Sequence, residues 1–325
     1  MRSLRIFAAA ICCIFTLCAA ASPAAVSAAS PAPDPVPYEP EPAPETDLEA
    51  LSDSLARFAV GKDARIGVAV ALSQAEIAGT DIRRPFPMMS VMKFPLALAV
   101  ATHLQETGGS YADSIPLGAG DLRPDTYSPM RDRYAGCVPE KISIDELLDY
   151  SLRQSDNNAA DILMRFVSGP EAVGNLMKEL GYQDIHVIWN EDDMHRDTAR
   201  CTANSSTPED MAKLFLLFDS LLADEPEYAP LRAKLEQCET GRNRLAAPFA
   251  EQDIVIGHKT GTGDVMPNGR LQAVNDAGYV RLPDGRSYAI AVFIEDSGYS
   301  PAETERLIAD ISRLVYRFLT HPSDR

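Results

Sequence analysis

The chain has 325 residues, 46% hydrophobic and 24% charged, enough for one large domain with a substantial buried core. Its net charge of −17 argues against nucleic acid as a partner. The five histidines and six cysteines form no HxH, HExxH or CxxC pattern, so neither a metal nor a redox centre is expected, and no cofactor is called for.

Residues 1–28 read as a secretory signal: Arg2 and Arg5 give a positive start, Ile6 to Ala21 is apolar, and Val26-Ser27-Ala28 is a cleavage pattern. The apolar stretch is short for a membrane anchor, and bulky Leu17 before Cys18 argues against lipid attachment. Export to the periplasm or medium, without stable membrane insertion, is the expectation. Residues 29–46, rich in Pro, Ala, Ser and Glu, read as an extended, poorly ordered linker. The mature part keeps Cys137, Cys201 and Cys238, an odd number that permits at most one internal disulfide.

The folded domain is expected over 47–321. Asp47 to Ala59 fits a short amphipathic helix, Arg65 to Leu72 a strand, and Glu76 to Gly79 a second short strand. Val91 to Glu106 is apolar and has the length of a buried helix. Ile144 to Phe166 holds two helical patterns broken at Gln154 to Asn158, and Pro208 to Leu222 is helical with Thr207 as its cap. Ile254 to His258, Ala277 to Leu282 and Tyr288 to Glu295 are β-rich, with a hairpin turn at Pro283-Asp284-Gly285. Ile308, Ile311, Val315 and Phe318 repeat at helical spacing near the end. The order predicts an α+β fold: both chain ends contribute strands to one antiparallel sheet, residues of about 90–250 form a helical lobe, and the groove between lobes is the natural site.

Three motifs carry chemistry. In Ser90-Val91-Met92-Lys93, a serine at a helix start has the lysine on its own face one turn later, where the amine can relay the serine proton and backbone N–H groups can hold an oxyanion. Alone, the pattern equally describes a capping serine and a solvated lysine. In Ser155-Asp156-Asn157, Ser155 can relay a proton and Asn157 can hold a substrate amide, with Asp156 structural; the same residues also suit a plain turn. In Lys259-Thr260-Gly261, after a strand, Lys259 and Thr260 can bind a carboxylate, Gly261 lets a ligand approach the strand edge, and Thr262 adds a hydroxyl and an N–H. An edge strand protected by its lysine is the alternative.

SxxK, SDN and KTG in this order are the signature of penicillin-recognising serine enzymes, and over nearly the whole mature part the chain resembles the class A β-lactamases. The resemblance implies a three-layer α/β/α sandwich with a five-stranded antiparallel sheet, and a monomer acting on a small β-lactam. It implies that Ser90, Lys93, Ser155 and Glu191 are catalytic and that Asn157, Lys259, Thr260, Gly261, Thr262 and Tyr127 bind substrate. Glu191 occupies the place of the family's water-activating glutamate, and Tyr127-Ser128-Pro129 resembles its aromatic at the mouth of the site. Three positions depart from the family's pattern. His195 stands where an asparagine commonly helps to hold the water. Trp189 and Asn204 stand where an arginine–aspartate bridge commonly ties the glutamate's loop, so that loop must be held in another way. These departures, with the Met88 to Val91 and Gly261 to Asp264 neighbourhoods, resemble a divergent subgroup of broadened-range cephalosporinases. Two other readings share much of the signature: a D,D-peptidase lacking the glutamate, and a sensor module that acylates and stays acylated.

Overall fold

The computed structural model describes residues 47–250 and 252–321; the predicted signal and linker lie outside them. The first helix, α1 (Leu48–Ala59), starts where Asp47 accepts the Ala50 N–H at 2.9 Å, and buries Leu51 and Leu55 one turn apart. Strands β1 (Arg65–Ala71), β2 (Ile77–Thr80) and β3 (Phe86–Pro87) follow. A 3-10 turn, Met89–Met92, leads into α2 (Lys93–Thr107), which is buried along most of its length. The helical lobe continues through β4 (Ser114–Pro116), α3 (Pro129–Tyr134), β5 (Lys141–Ser143), α4 (Ile144–Arg153), α5 (Asn157–Phe166), α6 (Pro170–Glu179), α7 (Glu191–Arg196), β6 (Ser205–Ser206), α8 (Pro208–Leu217) and α9 (Ala229–Glu236). The chain then forms β7 (Val255–Thr262), β8 (Leu271–Arg281), β9 (Ser287–Ser297) and α10 (Pro301–Thr320).

The main sheet has five strands in the order β2-β1-β9-β8-β7, all antiparallel. Its two faces differ because strand residues alternate. Ile66, Val68 and Val70 of β1 and Ile290, Val292 and Ile294 of β9 join Leu51 and Leu55 of α1 and Ile308, Ile311 and Val315 of α10 in one core cluster. The intervening positions are small, Gly67, Ala69 and Ala71 on β1 and Ala289 and Ala291 on β9, and α8 packs close to both strands. A Cβ on Gly67 would meet the Phe86 ring at 2.4 Å and Pro208 at 2.9 Å, so only glycine fits there. The expected three-layer sandwich is therefore present, with the sheet between α1 with α10 and the helical lobe.

Several boundaries differ from the sequence reading. Strand β7 runs on to Thr262 and so includes the whole Lys259-Thr260-Gly261 motif, and β8 begins six residues earlier than expected, at Leu271. The Pro208 helix passes at Phe218 into a π-helical turn. Phe318 is only partly buried, against the edge of the core. The strand pairs β3–β6 and β4–β5 were not anticipated; at two and three residues they are too short to show an alternating pattern. Cys137, Cys201 and Cys238 are all unbridged. Among the described residues no helix is long and apolar enough to cross a membrane.

Candidate active site

The 3-10 turn delivers Ser90 into a cleft of about 290 Å³ lined by Ser90, Tyr127, Asn157, Glu191, His195 and Thr262, among others. Met89, just before Ser90, adopts φ +50°, a left-handed conformation costing roughly 1 kcal/mol or more in a non-glycine residue. Two buried asparagines hold this turn. Asn275 of β8 donates to the carbonyls of Pro87 and Met88 at 2.7 and 3.2 Å, and the Asn204 carbonyl accepts the Met88 N–H at 2.8 Å.

Lys93 has no exposed surface, and its ammonium donates in three directions: to Ser90 Oγ at 2.6 Å, to Asn157 Oδ1 at 2.8 Å and to Glu191 Oε1. A buried cation is tolerable only when its protons are taken up in this way. The lysine thus joins the predicted nucleophile to the predicted water-activating carboxylate. The proton inventory of an acyl transfer, a hydroxyl, an amine and a carboxylate in contact, is complete.

Lys259 of β7 donates to Ser155 Oγ at 2.9 Å. Ser155 is held at φ +61° on the bend between α4 and α5. Asp156 beside it is structural, as expected: its carboxylate accepts from Ser128 Oγ, the Met130 N–H and the Ala159 N–H, and it caps α5. Burial raises its pKa, while these hydrogen bonds draw it back down. Lys259 is fully buried, so it is not an edge-protecting lysine, although β7 is an edge strand. The role expected for Gly261 needs correction. A Cβ there would meet the Met88 carbonyl oxygen at 2.4 Å, so the glycine serves the close packing of β7 on the Ser90 turn rather than ligand approach. Thr262 and Tyr127 are exposed at the cleft, Tyr127 at 58%.

The Glu191 segment is fixed without the common arginine–aspartate bridge. Asn204 Oδ1 accepts the N–H groups of Ile188 and Trp189 at 2.8 and 2.9 Å, and its amide donates to the Trp189 carbonyl at 2.8 Å. The Arg200 guanidinium stacks 4.4 Å from the centre of the Trp189 ring. The two departures from the family's pattern therefore form a substitute clasp with each other. Asp161 of α5 adds a second: its carboxylate accepts the N–H of Glu191 at 2.7 Å and of Asp192 at 3.0 Å, and pairs with Arg123 at 2.6 Å. His195 is half exposed, with Nε2 3.7 Å from Asp125 Oδ2. Because Asn204→Ala strands two N–H groups of this segment, it should cost about 2–4 kcal/mol. A thermal melt should show the midpoint lowered by several degrees; an unchanged midpoint would contradict the clasp.

Burial, aided by the neighbouring Glu191 charge, pushes the Asp161 carboxyl up to about 6, against the pull of the Glu191 N–H and Arg123. A carboxyl whose folded pKa lies above its unfolded value, near 4, contributes stability that is full below pH 4 and is lost as pH rises through about 6. Its ionised form, however, is the one that holds Glu191. Hence kcat/KM should fall below about pH 6 although this group then favours folding, and Asp161→Asn, neutral at every pH, should lower kcat/KM at neutral pH and remove that acid limb. Superimposable profiles of kcat/KM against pH would remove Asp161 from this role.

Sequence reading missed Asp161, Asn275 and Arg244. The Arg244 guanidinium is buried; it donates to Thr262 Oγ1 at 2.7 Å and to the carbonyls of Gly261 and Asn275, and pairs with Glu305 at 3.0 Å. It brings a second cation beside the motif that carries Lys259. No local pattern marks any of the three, since each acts on elements remote in sequence.

Residues 50–319 match the Beta-lactamase enzyme family. A beta-lactamase of Bacteroides uniformis is 35% identical over 276 residues, covering 83% of this chain and 90% of that protein. The extended-spectrum beta-lactamase PER-1 of Pseudomonas aeruginosa is 30% identical, covering 82% and 87%. The crystal structure of a class A beta-lactamase representative from Bacteroides cellulosilyticus superposes with a TM-score of 0.79 at 34% identity, covering 85% of this chain and 99% of that one.

Proposed function

Since the chain belongs to the beta-lactamase enzyme family, as a class A serine enzyme of extended-spectrum type that hydrolyses β-lactams, we propose the following roles for its residues. Ser90 Oγ attacks the lactam carbonyl, its proton passing to the Lys93–Glu191 pair. The N–H groups of Ser90 and Thr262 receive the oxyanion, a contribution of roughly 3–4 kcal/mol in comparable sites. The ester C–O bond forms, the lactam C–N bond breaks, and Ser155 relays the proton held by the Lys93–Glu191 pair to the nitrogen. Lys259 and Thr260 hold the substrate carboxylate, Asn157 its acylamino group, and Tyr127 packs on it at the mouth. Glu191 then takes a proton from water, which attacks the ester, and Ser90 regains its hydrogen.

The observation that carries this reading is the threefold contact of buried Lys93 with Ser90, Asn157 and Glu191. Among the described residues, Lys93 touches nucleophile, substrate-binding amide and hydrolytic base at once. We also read the protein as an exported monomer acting on small β-lactams, without nucleic-acid partners, which its −17 charge and predicted signal support. Purified protein mixed with a chromogenic cephalosporin should give many turnovers per molecule. A single stoichiometric burst would mean that Glu191 does not release the acyl group.

A further inference from the structure

The chain that leaves α9 passes beside β7, the end strand of the sheet. There it grips both branches of one side chain. Thr240 Oγ1 lies 2.6 Å from Thr260 Oγ1. Gly241, at φ +66°, sits so close to the other branch that a Cβ on it would meet Thr260 Cγ2 at 2.4 Å. A β-branched side chain held at both its hydroxyl and its methyl group has one rotamer left. The gripping segment is itself anchored. The Glu239 N–H donates to the Arg153 carbonyl of α4 at 2.9 Å, and the Arg153 guanidinium donates to Glu239 Oε1 at 2.7 Å. The Gly241 carbonyl accepts the Arg244 N–H at 2.9 Å.

We propose that Thr240 is a positioning residue for the carboxylate cradle: its hydroxyl donates to Thr260 Oγ1, which leaves the Thr260 proton free for the carboxylate of the β-lactam. The inference rests on the reading that Lys259 and Thr260 bind that carboxylate.

The direction of the contact follows from proton counting. Each hydroxyl carries one proton. Thr240 Oγ1 has a second neighbour, Cys238 Sγ, at 3.4 Å. If Thr240 donates to the sulfur, Thr260 must donate to Thr240 and has no proton to offer a ligand. If Thr240 donates to Thr260, the Thr260 proton is available. Sulfur is a weak acceptor, whereas an ionised carboxylate is a strong one that cannot donate. A bound carboxylate therefore selects the second arrangement. Lys259 is held from elsewhere, by Ser155 Oγ and the Thr260 carbonyl, each at 2.9 Å. Removing the Thr240 hydroxyl should therefore weaken the cradle without dismantling it.

The test sets an acid against its ester. With a chromogenic cephalosporin, Thr240→Ala and the shape-preserving Thr240→Val should raise KM by about three- to tenfold, the range that one hydrogen bond supplies, with kcat little changed. Thr240→Ser restores the hydroxyl and should bring KM back towards the wild-type value. With the methyl ester of the same cephalosporin, kcat/KM should not separate the four proteins, because no anion is left to orient; turnover of the ester also shows that each variant is folded. A rise in KM that Thr240→Ser shares, or that appears equally with the ester, overturns the proposal. So does an unchanged KM in Thr240→Ala and Thr240→Val while Thr260→Ala raises it. If neither Lys259→Ala nor Thr260→Ala raises KM for the acid relative to the ester, the carboxylate is bound elsewhere, and the underlying reading has failed as well.

Discussion

Ser90→Ala should lower cephalosporin turnover by about four orders of magnitude or more, the scale seen when a nucleophile is removed from a serine hydrolase. The substitution deletes one oxygen and leaves the cleft otherwise intact. Lys93 keeps Asn157 and Glu191 as partners, and the carboxylate-binding residues are on another element. Substrate binding should therefore survive while chemistry does not. Stopped-flow turnover, with an equilibrium affinity for the same cephalosporin on the same preparation, checks both halves. Retention of more than about one per cent of kcat would place the nucleophile elsewhere.

Glu191→Gln should separate the two halves of the reaction. Glutamine keeps the size of the side chain and loses the charge and the basicity. Lys93 retains its contacts with Ser90 and Asn157 and, as the free amine, can itself take the Ser90 proton, so acylation proceeds. Water activation does not, and loss of a general base slows such a step by about 10²–10⁴-fold. The protein should then accumulate as an ester on Ser90. Intact-mass spectrometry after mixing with a cephalosporin should show a persistent adduct in Glu191→Gln and none in the wild type. An unmodified variant that still turns over would refute the role of Glu191. Because the Glu191 N–H is clasped by Asp161 through the main chain, this substitution should leave the loop in place.

The groups proposed as catalytic, Glu191 apart, were legible because each sits in a short local pattern. Ser90 and Lys93 are one turn apart, Ser155 and Asn157 flank a capping aspartate, and Lys259 and Thr260 end a β-rich run. The supporting groups were not, because what marks them is a partner elsewhere in the chain. Asn275 and Asp276 read as polar residues outside a strand, yet both are fully buried. They remain in β8 because the Pro87 and Met88 carbonyls and the His258 imidazole satisfy them. Strand β8 accordingly begins well before its apolar stretch. Asn204 could be recognised only as unable to form a salt bridge; that its amide embraces the main chain of residues 188 and 189 is a tertiary fact. The two-lobed α+β plan followed from the order of elements and the sandwich from the family resemblance, but the neighbour relation of β1 and β9 needed the structure.

That neighbour relation has a consequence in time. Strand β1 pairs with β9 over seven residues, from Arg65 with Glu295 to Ala71 with Ala289, although more than two hundred residues separate them. The turn bearing Ser90 likewise depends on Asn275, from the last quarter of the chain. Contacts this remote close late and fold slowly. As the polypeptide emerges from the ribosome, its proposed nucleophile is among the earlier segments to appear and among the last to be put in order. A nascent or truncated chain ending before Ser287 has no β9 and so no middle to its sheet, and activity arrives only with the finished molecule.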